Sequence, residues 1–362
     1  MAAADRLQTI ALARQALLHE RSTATVPALA PWLQRGWQRC QALGLEPGQR
    51  VGFDVVSAAR MRRVQEENRP LVQAARPVLA ELVRAMGSIG YFAILTNAEG
   101  IVIDVHGPVD RGDRRADVIA RVGVDLSERA VGTTAISAAL TELQPVWLHR
   151  GEHFFDDTSV YSCAGAPVFG PDGRCAGMLD LTGVEVTERP ALKHLVRRSA
   201  RSIENSWLLT TPHALTLRLN WPGNQPGDDS DGLLTLDADG RISGANPTAR
   251  QMLSLDVGDS SAHASDVFAM PWENLFDAAQ RDDGFYEVPL WSGLRLQTQA
   301  HRAGAAHTGN TTMRSSGKAL RDVETELIRQ AVVKAKGNVA EAARALGISR
   351  ATVYRKLGSP KG

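Results

Sequence analysis

The C-terminal stretch 337–357 (GNVAEAARALGISRATVYRKL) constrains the fold of this chain most strongly, because it carries the signals for two short helices and a tight turn. Asn338 can cap the first helix, and Glu341 is placed to complete a pair resembling a capping box. One apolar face then runs along that helix: Val339, Ala342, Ala343 and Leu346. Gly347 can supply the left-handed residue that ends the helix, and Ser349 can cap the next one. The stretch therefore predicts a helical hairpin.

The second helix of this hairpin has an apolar side and a polar side. Val353 and Leu357 form its buried pair, while Ala351 and Arg355 fall on the opposite side of a helical wheel. Small side chains there would let the helix enter the major groove of DNA, where arginine can reach guanine edges or phosphates. A further helix is predicted just before the hairpin, with this apolar stripe: Val323, Leu327, Ile328, Ala331, Val332 and Ala335. Residues 318–362 are therefore expected to form an all-α, three-helix unit with a helix-turn-helix.

This unit resembles the Fis-type DNA-binding domain that closes many bacterial enhancer-binding activators. The resemblance implies double-stranded DNA as a partner, and it places the contacts at these positions: Ser349, Arg350, Thr352, Tyr354, Arg355 and Lys356. Tyr354 and Lys356 would contact phosphates or serve in packing. An amphipathic hairpin with no role in DNA binding is the alternative.

The distribution of charge agrees with a nucleic-acid module at the C-terminus. Residues 318–362 contain ten Lys or Arg and four Asp or Glu, whereas the rest of the chain contains 31 basic and 36 acidic residues. The formal net charge of +1 therefore combines a basic tail with an acidic body. Such asymmetry is typical of a nucleic-acid-binding unit attached to a second kind of domain.

Composition excludes several classes of protein. A chain of 362 residues is long enough for two or three domains, and an apolar content of 43% is ordinary for a globular protein. No apolar run is long enough to cross a bilayer, and the first residues lack the core of a signal peptide. Three cysteines without a CxxC pair, and the lack of an HExxH motif, favour a reducing cytoplasm and argue against a structural metal site. We expect a cytoplasmic protein with no cofactor and no membrane partner.

Residues 1–88 are expected to form a helical N-terminal segment. Within it, residues 33–48 resemble the entry segment of the acetoin-regulator (AcoR-like) group of activators, through these positions: Trp37, Arg39, Cys40, Gly44, Leu45 and Pro47. We assign them a structural role. A long helix over 57–87 is expected to break or kink at Pro70 and Pro77. It either pairs between subunits or serves as a solvated connector.

The next 122 residues, 89–210, carry the pattern of an α+β domain. The run YFAILTNAEGIVIDVHG alternates around a turn at 97–100, which predicts a β-hairpin. A Pro-Asp-Gly turn at 171–173 joins two further strand patterns, APVFG and CAGMLDLTG. A helix over 189–209 completes the domain.

This stretch resembles a GAF domain of the acetoin-regulator group. One run that carries the resemblance consists of Gly123, Ser127, Glu128, Gly132, Thr133, Ala135, Ile136, Ala139 and Leu140. A second run consists of Cys163, Ala166, Pro167, Phe169, Pro171, Asp172, Gly173, Gly177, Leu179, Asp180, Leu181 and Gly183. Leu126 and Thr134 depart from the family pattern, where tryptophan and asparagine are usual.

A GAF domain holds small effectors between its sheet and its covering helices. A helix that opens near Gly132 would aim free backbone N–H groups at such a cavity, where a carboxylate or carbonyl oxygen could bind. The ligand-binding candidates implied by the resemblance are Thr133, Thr134, His153, Phe154, Cys163 and Asp180. For each of them, a packed and hydrogen-bonded core position is the competing interpretation.

A catalytic or redox role is a second class of hypothesis. Cys163 and Cys175 could form a redox pair, as in GAF-fold methionine sulfoxide reductases, and Arg174 could favour the thiolate of its neighbour. His106 and His149 could in principle join His153 around iron or haem, although the sequence pairs none of them. We expect no enzymatic activity.

The remainder of the body is predicted to hold a second, smaller domain between two linkers. Residues 211–230 have the Pro, Gly and Asp content of a linker. Residues 231–302 resemble a PAS domain, in a reduced version, through strand, Asp-Gly turn, strand and a helix that starts near Asn246. Residues 303–317 are predicted to be a flexible tether.

Full-length members of the acetoin-regulator group carry an ATPase between sensor and DNA-binding domain. That enzyme needs the motif GxxxxGK[ST], and the only Gly-Lys pair here, Gly317-Lys318, is followed by Ala319. The sequence therefore predicts a transcriptional regulator without its own ATPase, controlled by a small-molecule effector and acting as a homodimer on an inverted repeat. A GAF-fold redox sensor or enzyme, and an adaptor for a sigma-54 activator, are the alternatives.

Overall fold

The computed structural model describes residues 3–20, 22, 25–27, 29–87, 89–259, 261–281, 284–303, 332, 338, 339, 343 and 353. The chain divides into two units, Met1–Ala303 and Gly304–Gly362. In the second unit, Ala343 and Val353 are buried and Val339 packs against them. Val339 and Ala343 belong to the predicted apolar face of the first helix of the hairpin, and Val353 to that of the second. The six predicted DNA contacts, at 349–356, lie outside the described residues.

The N-terminal segment is helical, as its sequence predicts. Its elements are α1 (Ala3–Arg14), a π-helical turn (Gln15–His19), α2 (Pro31–Ala42), α3 (Ala58–Glu67) and α4 (Arg69–Met86). The break in the long helix falls at Asn68, just before Pro70, because proline is tolerated in the first turn of a new helix. Pro77 lies inside α4. Trp37 is buried and donates from Nε1 to the carbonyl of Glu152 at 3.0 Å, which fixes α2 on the following domain.

The first sheet is antiparallel and has the strand order β2-β1-β5-β4-β3. Its strands are β1 (Tyr91–Asn97), β2 (Val102–His106), β3 (Val146–His149), β4 (Tyr161–Phe169) and β5 (Cys175–Val184). Its helices are α5 (Arg114–Ile119), α6 (Glu128–Val131), α7 (Ala135–Glu142) and α8 (Leu192–Thr210). The predicted hairpin of β1 and β2 and the predicted helix α8 are both present.

Both faces of the first sheet are buried. Successive side chains of a strand point to opposite faces, so neighbouring residues of β1 enter different cores. Phe92 and Ile94 of β1 join the core with α2, α5 and α7. Ala93 and Leu95 join a second core with α4 and α8. The domain is thus three layers thick, with its centre at β1, β5 and β4.

A second antiparallel sheet follows, with the strand order β8-β7-β6-β10-β9. Its elements are β6 (Leu215–Asn220), β7 (Gly232–Leu236), β8 (Ile242–Ala245), α9 (Pro247–Leu253), α10 (Ala264–Val267), α11 (Glu273–Arg281), β9 (Tyr286–Pro289) and β10 (Arg295–Arg302). Strand β6 falls inside the stretch 211–230 that the sequence suggests is a linker. Its central place depends on pairing with β7 and β10, which local composition does not reveal.

In both sheets the first strand pairs with the second and with the fifth, and the fifth pairs with the fourth, but the third strand pairs with the fourth in the first sheet and with the second in the second sheet. In the first sheet the central strand, β5, is the last strand of its domain, whereas in the second sheet the central strand, β6, is the first. The second domain, which the sequence suggests is a reduced PAS-like unit over 231–302, therefore has a five-stranded sheet whose middle strand, β6, comes from before residue 231. In the part of the chain that the structure describes, no helix combines the length and apolarity needed to cross a membrane.

Candidate effector-binding site

A small cavity of about 30 Å³ lies in the first domain, between the sheet and the short helices that cover it. Its wall is mostly apolar and aromatic, with Phe53, Leu126 and Tyr161 among the larger side chains. The polar residues in the wall are Thr134, His153, Thr158, Cys163, Asp180 and Thr182. An apolar cavity with a few convergent polar groups is the usual form of a small-molecule site.

Strand pairing brings three of these polar residues together. Asp180 and Thr182 are two residues apart on β5 and therefore point to the same face. Cys163 on β4 stands directly opposite Thr182. Thr134 comes from the other side of the cavity, where it caps α7 by accepting from the backbone N–H of Ser137 at 3.3 Å.

Asp180 is fully buried and only partly satisfied. The hydroxyl of Thr182 donates to its Oδ2, while its Oδ1 has no hydrogen-bond partner. Burial raises the pKa of Asp180 to about 7, and the bond from Thr182 opposes that rise. The residues that line the cavity include neither lysine nor arginine to neutralise the carboxylate. The carboxyl group can therefore exchange its proton near neutral pH.

His153 presents a neutral imidazole. Its Nδ1 lies 2.9 Å from the carbonyl oxygen of Arg150, which can only accept, so Nδ1 carries the proton. Burial lowers the pKa of His153 to about 4, and Nε2 has no partner. The cavity wall therefore holds two buried polar atoms without partners, Oδ1 of Asp180 and Nε2 of His153. A buried polar group without a partner is costly in free energy, so such atoms point to a missing ligand or water.

The cysteines do not form a reactive centre. Cys163 lies 3.3 Å from the hydroxyl of Thr182, and burial raises the pKa of its thiol well above the ordinary value. Burial likewise raises the pKa of Cys175, and raises that of Cys40 to about 11. Cys175 stands opposite Phe169, six residues from Cys163 on β4, or roughly 20 Å along the strand. The structure therefore does not bring Cys163 and Cys175 together as a redox pair.

The structure places two of the six ligand-binding candidates outside the cavity wall. Thr133 contacts Cys40, with 3.2 Å between its Oγ1 and the sulfur, and lies against Gly36. Phe154 packs edge-to-face on Phe155, with ring centroids 5.1 Å apart. Thr134, His153, Cys163 and Asp180 line the cavity.

Sequence reasoning missed two residues that shape the site. Thr182 could have been found from the two-residue period of β5, because it shares a face with Asp180. Arg14 of α1 could not, since its partners are about 140 residues away. Its guanidinium donates to the carbonyls of Gly151 (3.0 Å), His153 (2.6 Å) and Phe154 (3.1 Å) and to Asp156 (2.5 Å). Helix α1 thus holds the segment that positions His153.

The fold and the cavity define an α+β domain of the GAF type, with a second α+β domain after it in the sequence. The chain belongs to the family described as "MimR, N-terminal domain", whose model matches residues 10–205. Residues 319–358 match the model described as "Bacterial regulatory protein, Fis family". The predicted Fis-type unit at the C-terminus is thereby confirmed.

Similar proteins are named as regulators. The acetoin catabolism regulatory protein of Cupriavidus necator is 31% identical over 283 residues, covering 75% of this chain and 41% of that protein. The propane 2-monooxygenase operon transcriptional activator MimR of Mycolicibacterium goodii is 29% identical over 180 residues, covering 49% of this chain and 30% of that protein. The chain thus spans less than half the length of these relatives. Among solved structures, the E. coli DhaR(N)–DhaL complex gives a TM-score of 0.46 at 15% identity, covering 76% of this chain and all of that chain.

Proposed function

We propose that this protein is a cytoplasmic DNA-binding transcriptional regulator whose affinity for its operator is set by a small molecule in the GAF-type cavity. The two unpartnered atoms in the cavity wall, Oδ1 of Asp180 and Nε2 of His153, are the observation that carries the sensory half. The match of residues 319–358 to the Fis family supports the DNA-binding half. A homodimer on an inverted repeat would supply enough contacts for specific binding.

The cavity chemistry favours an uncharged effector with a hydroxyl group. The lone pair on Nε2 of neutral His153 requires a hydrogen-bond donor, while Asp180 near its pKa can either donate to a carbonyl or accept from a hydroxyl. A carboxylate would meet Asp180 without any cation in the wall, at a high electrostatic cost. Acetoin, a compound in the name of the Cupriavidus relative, has a hydroxyl that can donate to Nε2 and a ketone that can accept from Asp180.

Calorimetric titration with acetoin and with lactate tests this proposal. Lactate is a matched control, because it keeps the hydroxyl and replaces the methyl ketone by a carboxylate. We expect acetoin to bind, lactate to bind at least tenfold more weakly, and D180L, which removes both donor and acceptor, to weaken acetoin binding about tenfold. The substitution D239N, at an exposed carboxylate of the second domain, should leave binding unchanged. Equal binding of acetoin and lactate would contradict the proposed effector class.

The DNA-binding half is tested at the second helix of the predicted hairpin. R350A and R355A should each reduce specific operator binding by about fivefold or more, because a base contact contributes about 1–3 kcal/mol. Acetoin binding should be unchanged in both variants. Operator binding that survives both substitutions would reject this assignment of the recognition helix.

The sequence also bears on how such a regulator would act. Because the chain contains no GxxxxGK[ST] motif, we infer that it controls transcription by occupying DNA rather than by ATP-driven remodelling of polymerase. A purified preparation should therefore show no ATPase activity in the presence of operator DNA and acetoin. If ATPase activity copurifies with the protein, and still does so when the recognition helix is mutated, the adaptor role is supported instead.

A further inference from the structure

The turn that joins β4 to β5 lies in a socket formed by the second domain. The carbonyl of Pro171 accepts from the backbone N–H of Ala245 at 3.0 Å and from the guanidinium of Arg250 at 2.9 Å. The carbonyl of Asp172 accepts from the N–H of Gly258 at 2.9 Å. The tip of a strand pair in one domain is therefore held by three hydrogen bonds from the other.

Arg250 is the centre of this socket. It is 9% exposed, and its guanidinium also donates to the carbonyls of Asp256 at 2.7 Å and Ala245 at 3.3 Å. Gly173, with a φ of +81°, completes the fit, because a Cβ there would come within 2.4 Å of Nε of Arg250. A planar, charged fork that binds three carbonyls fixes both distance and direction between the elements it joins.

A second contact holds the same part of the second domain against helix α8. Asn246 caps α9 by accepting from the N–H of Ala249, and its side-chain amide donates to Oδ1 of Asn205 at 2.9 Å. The amide also donates to the carbonyl of Asp231 at 2.9 Å. The start of α9 is thus tied both to α8 and, through Arg250, to the turn.

The same strand pair that ends in the socket carries three polar residues of the cavity wall, Cys163, Asp180 and Thr182. Its ladder runs from Tyr161 opposite Val184 to Phe169 opposite Cys175, so it connects the cavity with the turn over a distance of roughly 20 Å. At about 30 Å³ the cavity has room for about two water molecules. A ligand with six non-hydrogen atoms must displace part of the wall, and packed elements transmit such displacements.

We propose that the 170–174 turn and Arg250 form the coupling joint through which occupancy of the cavity acts on the second domain and on the DNA-binding segment after it. This inference rests on the proposed function, because it requires an effector in the cavity and DNA at the C-terminal unit. Occupancy shifts the β4–β5 pair, and Arg250 passes the shift to α9 and its sheet, which ends at β10 before the tether. Linkage then requires that DNA act on effector affinity by the same factor.

The test compares acetoin affinity for the free protein and for its complex with operator DNA. Wild-type protein should show an affinity ratio of at least fivefold between the two states. R250M should bring this ratio to within twofold of unity. In the same variant, acetoin affinity measured without DNA and DNA affinity measured without acetoin should each stay within threefold of wild type. R250K, which keeps the charge but not the fork, should lose part of the ratio. R241M, at an exposed arginine of the same domain, should retain it. A wild-type ratio in R250M would overturn the proposal.

A second measurement does not depend on acetoin. C163M introduces a larger side chain into the cavity wall, and hydrogen–deuterium exchange reports whether residues 244–258 respond. We expect residues 244–258 to exchange faster in C163M than in wild-type protein. When Arg250 is already replaced, the same substitution should have no effect, so C163M/R250M and R250M should exchange alike. An equal increase with and without Arg250 would overturn the coupling joint. If wild-type protein fails to bind acetoin while this exchange pattern holds, the proposed effector is wrong and the joint stands.

Discussion

At the scale of single residues, Asp180 is the wall residue on which the proposed choice of effector depends. A carboxyl group without a cation is unusual in an apolar wall, because burial disfavours its charged form. The structure tolerates it through one hydrogen bond from Thr182 and a pKa near neutrality. A group that loses its proton near pH 7 can match either a donor or an acceptor on a ligand.

The raised pKa of Asp180 makes folding stability depend on pH. Because the pKa is higher in the folded than in the unfolded state, the folded state holds more protons, and stability falls as pH rises towards about 7. D180N cannot titrate and should therefore gain stability relative to wild type, by about 2–3 kcal/mol between pH 5 and pH 8. Urea unfolding of both proteins at the two pH values measures this difference. Parallel stability curves would show that Asp180 ionises without penalty.

The wall residues also show how far sequence can predict a site. Asp180, Cys163, His153 and Thr134 follow from the resemblance to a GAF domain. Thr133 adjoins Thr134 in sequence, yet its side chain turns to Cys40, because neighbouring residues at a helix start face different directions. Packing against α2, which lies about 90 residues earlier in the chain, determines which of these two adjacent polar residues faces the cavity.

At the scale of elements, helix α1 keeps the segment 151–156 in place. Arg14 contributes four hydrogen bonds, and three of its acceptors are backbone carbonyls that would lose their partners without it. R14A should therefore lower the free energy of unfolding by about 3 kcal/mol. R63A removes an exposed pair with Glu67 and should cost less than about 0.5 kcal/mol. Equal effects of the two substitutions in denaturant titrations would show that α1 does not hold this segment.

A comparison of Gly173 with Gly223 distinguishes the cost of backbone strain from the cost of a steric contact at the coupling joint. Gly173 and Gly223 have φ values of +81° and +91°, but only Gly173 would place a Cβ against Arg250. G223A should cost about 1 kcal/mol, the usual cost of a left-handed alanine. G173A should cost clearly more and should also reduce the effect of DNA on acetoin affinity. Identical unfolding free energies for the two variants would mean that the turn does not fit closely against Arg250.

Elements with local patterns could be predicted from the sequence, and those defined by long-range pairing could not. The hairpin of β1 and β2 carries its own turn signal, and α8 its own apolar stripe. Strand β6 has buried leucines at 215, 217 and 219, but Pro and Gly surround it and its partners lie up to 87 residues away. The central place of the first strand in the second sheet follows from that same long-range pairing.

At the scale of the whole molecule, an acidic body carries the cavity and a basic tail carries the Fis-family match. The proposed regulator works only if these two parts influence each other. Because the tail is basic, its affinity for DNA should fall steeply with salt, and comparisons of affinity require a fixed salt concentration.

The proposed regulator requires that a molecule in the cavity change the affinity of the protein for its operator. The decisive measurement is operator affinity at constant salt with and without saturating acetoin. We expect a shift of at least fivefold in wild-type protein and a loss of that shift in D180L at the same acetoin concentration, with D239N behaving as wild type. If acetoin leaves the operator affinity of wild-type protein unchanged, or if D180L keeps the full shift, the proposed control by an effector is wrong.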